Sequence, residues 1–105
     1  MDYYSYFKEL YPHIKDVHLD RMERSAKEIL VNLLFPSTLR HTESQKELAY
    51  ETHEMWICDC MQCFIDRNGM GSAISYSENG ISVTFSQDTL SKTLIDLIKP
   101  VVGIV

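Results

Sequence analysis

Four side chains within a dozen residues of one another have the chemistry to bind a metal or carry out redox work: His53, Cys58, Cys60 and Cys63. Cys60 and Cys63 stand in the Cys-x-x-Cys spacing shared by zinc half-sites and redox dithiols, which both act through thiolates. A zinc site needs ligands converging tetrahedrally, usually from loops, and a catalytic dithiol sits at a helix N-terminus. Neither condition is met by the pattern around these residues, which is that of a helix interior. On such a helix His53, Cys60 and Cys63 share a face and Cys58 points the other way. The spacing therefore predicts Cys60 and Cys63 as small buried apolar groups, with no metal and no cofactor. His13, His18 and His41 are scattered, none is beside a credible nucleophile, and His53 reads as a core histidine satisfied by a neighbour. No Gly-rich phosphate loop, Gly-x-Ser-x-Gly or His-Glu-x-x-His occurs. The expectation is a protein that is not an enzyme.

The element that must position these residues is a long helix over 43–67. Thr42-Glu43-Ser44-Gln45 has the form of a capping box, and Asn68-Gly69 supplies a stop. At about 100° per residue, Ala49, His53, Trp56, Ile57, Cys60, Cys63 and Phe64 fall on one face. Tyr50 and Met61 widen that face, and Glu47, Glu51, Glu54, Cys58, Asp59, Gln62 and Asp66 lie opposite. Trp56 is expected to anchor this spine against the preceding helix, with Phe64 and Leu30 as further core anchors.

The rest of the chain supplies partners for the spine. Asp2 can cap a helix over 3–10, with Tyr4, Phe7, Leu10 and Tyr11 inward and Pro12 closing it. Asp16 can cap a second helix over 17–35, ended by Pro36, whose core stripe is Leu19, Met22, Ala26, Ile29, Leu30 and Leu33. Asp20/Arg24, Glu23/Lys27 and Arg24/Glu28 are opposite charges one turn apart on its wet side. Beyond Ser72 the apolar period shortens to two. Asn79-Gly80 is a strong type I′ turn signal and predicts a hairpin over 73–86, with Glu78 opposite Ile81, Tyr76 opposite Val83 and Ile74 opposite Phe85. Asp88 can cap a last helix over 89–98, with Leu90, Leu94, Leu97 and Ile98 on one side. An apolar tail, 100–105, follows.

The fold expected is thus mainly α: an antiparallel bundle of about four helices, one β-hairpin inserted before the last, in a single domain over 1–105. The 105 residues are 45% hydrophobic and 24% charged, a globular composition. A net charge of −5 argues against a general nucleic-acid binder, and no membrane span or secretory leader is apparent. Three thiols, odd in number and clustered, do not make a disulfide framework and agree with synthesis in a cytosol.

Nearly the whole chain resembles one family, the head–tail connector (head-completion, or adaptor) proteins of long-tailed bacteriophages. The likeness is carried by Tyr6-Phe7-Lys8-Glu9-Leu10-Tyr11-Pro12, by the charged helix from Asp16 to Phe35, by Thr42-Glu43-Ser44-Gln45-Lys46, and most specifically by the run from Ile74 to Ser86. The cysteine-rich spine departs from the family's more usual aromatic and alanine-rich one. The resemblance implies a non-enzymatic virion subunit at the head–tail junction, assembled in the host cytoplasm into a ring of about twelve copies. Such a ring binds the portal protein, extends the DNA channel without holding DNA specifically, and docks a downstream stopper or tail-completion protein. Its subunit and portal contacts are expected at Ile74, Tyr76, Ser77, Asn79, Gly80, Ser82 and Thr84 of the hairpin and at Val101, Val102, Ile104 and Val105 of the tail. The competing expectation is a small cytosolic thiol- or metal-binding regulator that uses Cys58, Cys60 and Cys63.

Overall fold

The computed structural model describes residues 2–35, 42–79 and 83–99, so Pro36 to His41, Gly80 to Ser82 and the tail from Pro100 lie outside the described residues. Helix α1 (Tyr3–Leu10) begins on Asp2, whose carboxylate accepts from the Ser5 backbone N–H at 3.2 Å and the Ser5 hydroxyl at 2.7 Å. Its buried residues are Tyr3 and Phe7; Tyr4 and Leu10, expected inward, are exposed. Tyr4 is turned out to donate its hydroxyl to Asp16, and Tyr3 takes the inner position, its hydroxyl near the Glu54 carbonyl.

Helix α2 (Asp16–Leu34) is the longest and is capped by Lys15 rather than by Asp16. The Asp16 carboxylate is drawn back to α1 instead, where it meets Lys8 Nζ at 3.1 Å and the Tyr4 hydroxyl at 3.0 Å. Leu19, Met22, Ala26, Ile29 and Leu30 are buried on its inner face, and Leu33 packs partly buried against the same core. Asp20–Arg24 and Glu23–Lys27 pair along the outer face.

The spine is two helices and not one. Thr42 and Gln45 form the reciprocal capping box that opens α3 (Glu43–Thr52), and α4 (Glu54–Arg67) follows after a break at His53, where φ is −114° and ψ is 30°. Two side chains compete for the carbonyls there: the Thr52 hydroxyl donates to Leu48 O at 2.7 Å, and His53 Nδ1 lies 2.9 Å from Ala49 O. Side chains that enter the ladder bend helices in this way. Helix α4 ends in a Schellman turn: Gly69 takes φ 67°, open to glycine at no steric cost, and Met70 N–H reaches back to Ile65 O at 2.9 Å. Helix α2 lies along α4 and also packs on α1 and α3. Leu30 and Phe64 are fully buried in the shared core and Trp56 nearly so. Cys58, expected on the wet side, is buried too.

The expected hairpin is absent. Residues Ala73–Asn79 form a short helix, α5, and no strand occurs among the described residues. Ser72 starts the turn, its carbonyl accepting from Tyr76 N–H at 2.9 Å. On the far side Thr84 gives both backbone groups to one side chain: its N–H donates to Asn68 Oδ1 and its carbonyl accepts from Asn68 Nδ2, each at 2.8 Å. The Asn68 amide thus takes the place of a partner strand. The final expected helix is also divided. Gln87–Thr89 make one 3-10 turn, closed reciprocally by Ser86 and Thr89, and α6 (Lys92–Leu97) begins on Ser91, not on Asp88. Leu90 and Ile98 are buried as expected, whereas Leu97 faces solvent.

Candidate functional site

Three places in this fold gather residues with functional potential, and the cysteines form the first. Cys58 and Cys60 are buried and Cys63 half-buried, its thiol 3.6 Å from the Thr89 carbonyl. Burial pushes the Cys60 thiol strongly upward, with neighbouring Cys63 adding to it; burial and then Asp59 raise Cys58. Thiols so held stay protonated and are weak nucleophiles and poor ligands. Among the described residues no group of three or more His, Cys, Asp or Glu has metal-binding geometry.

The second place is centred on Tyr76, which α5 carries into the corner between α1 and α2. Its ring is buried, and its hydroxyl accepts from the Lys15 backbone N–H at 2.9 Å while lying 2.6 Å from His18 Nδ1. The hydroxyl thus bridges the first residue before α2 and the His18 ring. Burial first, then Arg21 and Lys15, holds His18 below its ordinary pKa of 6.5. His13 stacks edge-on against the same ring at 5.5 Å and donates Nε2–H to Met70 O at 2.7 Å. Phe85 closes the cluster between His18 and Phe64, with the Arg21 guanidinium 5.3 Å from its centre. A hollow of about 250 Å³ opens beside Lys15, His18, Tyr76 and Ser77. This junction is internal, and Tyr76 makes its contacts within its own chain.

The remaining expected contact residues separate. Ile74 stands out from α5 with 74% of its surface exposed, and Ser77 and Thr84 are also exposed. Ser77 returns its hydroxyl to the Ala73 carbonyl. Asn79 ends α5; Gly80, Ser82, Val101, Val102, Ile104 and Val105 fall outside the described residues or, for Asn79, have no described side chain.

The third place is the outer surface of α3 and α4. Glu43, Glu47, Glu51, Asp59 and Asp66 are exposed on the two helices, and Glu43 pairs with Lys46 at 3.3 Å. On another side, between the end of α2 and α3, an apolar groove of about 270 Å³ is lined by Leu34, Phe35, Gln45, Leu48, Ala49, Thr52 and His53. The periodicity missed this groove because Leu48 falls outside the apolar stripe of the spine. Leu48 is an exposed leucine, and single exposed leucines are common. Lys15, His18 and Asn68 were missed as well, since each acts through a contact far along the chain.

Compared with models of protein families, with curated proteins and with solved structures, the chain gives no match. No helix among the described residues is long and apolar enough to cross a membrane.

Proposed function

We propose that this chain is a structural subunit of a bacteriophage head–tail connector, a non-enzymatic ring that attaches to the portal and extends the DNA channel. The observation that carries the reading is the chain's acidic balance, a net charge of −5, with Glu47, Glu51, Asp59 and Asp66 exposed on α3 and α4. DNA has to leave a filled capsid without sticking, and carboxylates facing the passage repel phosphates that lysines would hold by counterion release. The resemblance of the chain's first helices to connector proteins supports the same reading. In this arrangement Ile74, Ser77 and Thr84 remain available as contact positions, while Tyr76 serves the subunit's own fold. Copies related by cyclic symmetry would close into a ring of about twelve.

The test is to purify the chain alone and with the portal protein of the same phage. Light scattering and negative-stain microscopy should show a ring that co-migrates with the portal, and gel retardation at low salt should show no binding of duplex DNA. A chain that stays monomeric beside its portal, or that binds duplex DNA tightly, refutes the proposal.

A further inference from the structure

The C-terminal part of the described chain follows one strip of the spine. Where it starts, the Thr89 carbonyl faces the Cys63 thiol at 3.6 Å; further on, the Leu94 carbonyl accepts the Trp56 indole N–H at 2.8 Å. Trp56 lies two turns before Cys63, so this segment runs antiparallel to α4 and towards α3. At about 100° per residue, Thr52, Ala49 and Gln45 continue the strip marked by Cys63 and Trp56. The backbone bonds Ile57 N–H to His53 O and His53 N–H to Ala49 O carry that register through the break. Thr52, Ala49 and Gln45 form one wall of the apolar groove, and Leu34 and Phe35 form the other. Ile98 is buried, and the described chain stops one residue later.

We propose that this groove is the seat of Val101–Val105 of the same chain, which straps the end of α2 to α3. Its length suits the span. Five extended residues reach about 16 Å at 3.3 Å each. Gln45 to His53, eight helical steps, cover about 12 Å. Its chemistry suits the lining: the groove carries no Asp, Glu, Lys or Arg, and Val101, Val102, Ile104 and Val105 are apolar about a single glycine. In an extended chain Val102 and Ile104 point to the same side, so both can enter beside Leu48, which otherwise stands 63% exposed. The strap belongs to a single chain and does not depend on ring formation.

A photoreactive p-benzoylphenylalanine in place of Ile104 tests this in the full chain, using an equal mixture of unlabelled and nitrogen-isotope-labelled protein. Irradiation and peptide mapping should find crosslinks from position 104 to Leu34, Phe35 or Leu48, in peptides of one isotope only. Leu48→Arg, at an exposed position the fold can spare, should lose those crosslinks while circular dichroism stays unchanged. Crosslinks in mixed-isotope peptides, crosslinks elsewhere on the chain, no crosslinks at all, or groove crosslinks that survive Leu48→Arg each overturn the proposal. None of these outcomes requires a ring, so a failure of the connector reading leaves the strap standing.

Discussion

Replacing Tyr76 with Phe removes one oxygen and keeps the ring, so it separates the hydrogen bonds of the α5 junction from its packing. The lost oxygen accepts the Lys15 N–H and is hydrogen-bonded to His18 Nδ1. Lys15 caps α2, so its N–H has no partner within the helix. Water can reach the freed N–H through the adjoining hollow, so losing the bond costs about 0.5–1.5 kcal/mol. In a domain of this size each kcal/mol lowers the melting temperature by roughly 4–8 °C. The pH profile should follow His18 in both chains. A base whose folded pKa is depressed binds its proton more weakly when folded, so the unfolded chain takes up the proton first. His18 therefore contributes its full stability above pH 6.5 and loses it as the pH falls through its folded value. Burial, Arg21 and Lys15 depress His18 and all survive Tyr76→Phe, so the decline in stability below pH 6.5 should keep the parent's shape. Urea denaturation across that range, with an NMR titration of the His18 ring, reads both effects. A variant with the parent's stability above pH 6.5, or a His18 that titrates at 6.5 in the parent, would refute this account of the junction.

The other expectations concern the spine and its attachments. Trp56→Ala should cost about 3–5 kcal/mol by chemical denaturation, as removal of a buried aromatic does. Trp56→Phe should spare most of that yet speed hydrogen exchange in α6, because Leu94 O loses its indole donor. Cys60→Ala should cost on the order of 1 kcal/mol, and alkylation followed by peptide mapping should modify half-buried Cys63 before buried Cys60. Asn68→Ala removes both bonds to the Thr84 backbone and one to Phe64 O; protease nicking around Val83–Ser86 should rise severalfold if that clamp holds the segment.

Where local chemistry decides an element, the sequence showed it. The Asp2 cap, the Thr42–Gln45 box, the Gly69 stop and the core stripe of α2 rest on residues within a turn or two of one another. The break at His53 is a near-degenerate choice: Thr52 and His53 fit a continuous helix by period, yet both side chains can take carbonyls from the turn before. No periodicity resolves that competition. The cysteines were legible in part, with Cys60 placed by its stripe and Cys58 misplaced because the bundle covers more than one side of α4.

The segment from Ala73 to Ser86 was misread for a reason that also explains its structure. Alternation and an Asn-Gly turn describe a hairpin's own preference, but a lone two-stranded hairpin is marginal in water and needs an apolar surface to lean on. Here the surface offers something more specific. The corner between α1 and α2 presents an unpaired N–H at Lys15 and a neutral imidazole at His18, and a tyrosine hydroxyl satisfies both at once. Asn68, already at the end of α4, offers an amide that pairs with Thr84 as a neighbouring strand would. Each strand of the expected hairpin therefore finds a partner on the bundle before it finds the other strand. A seven-residue helix is too short to be stable by itself, so α5 depends on the docking of Tyr76 on Lys15 and His18, more than fifty positions away.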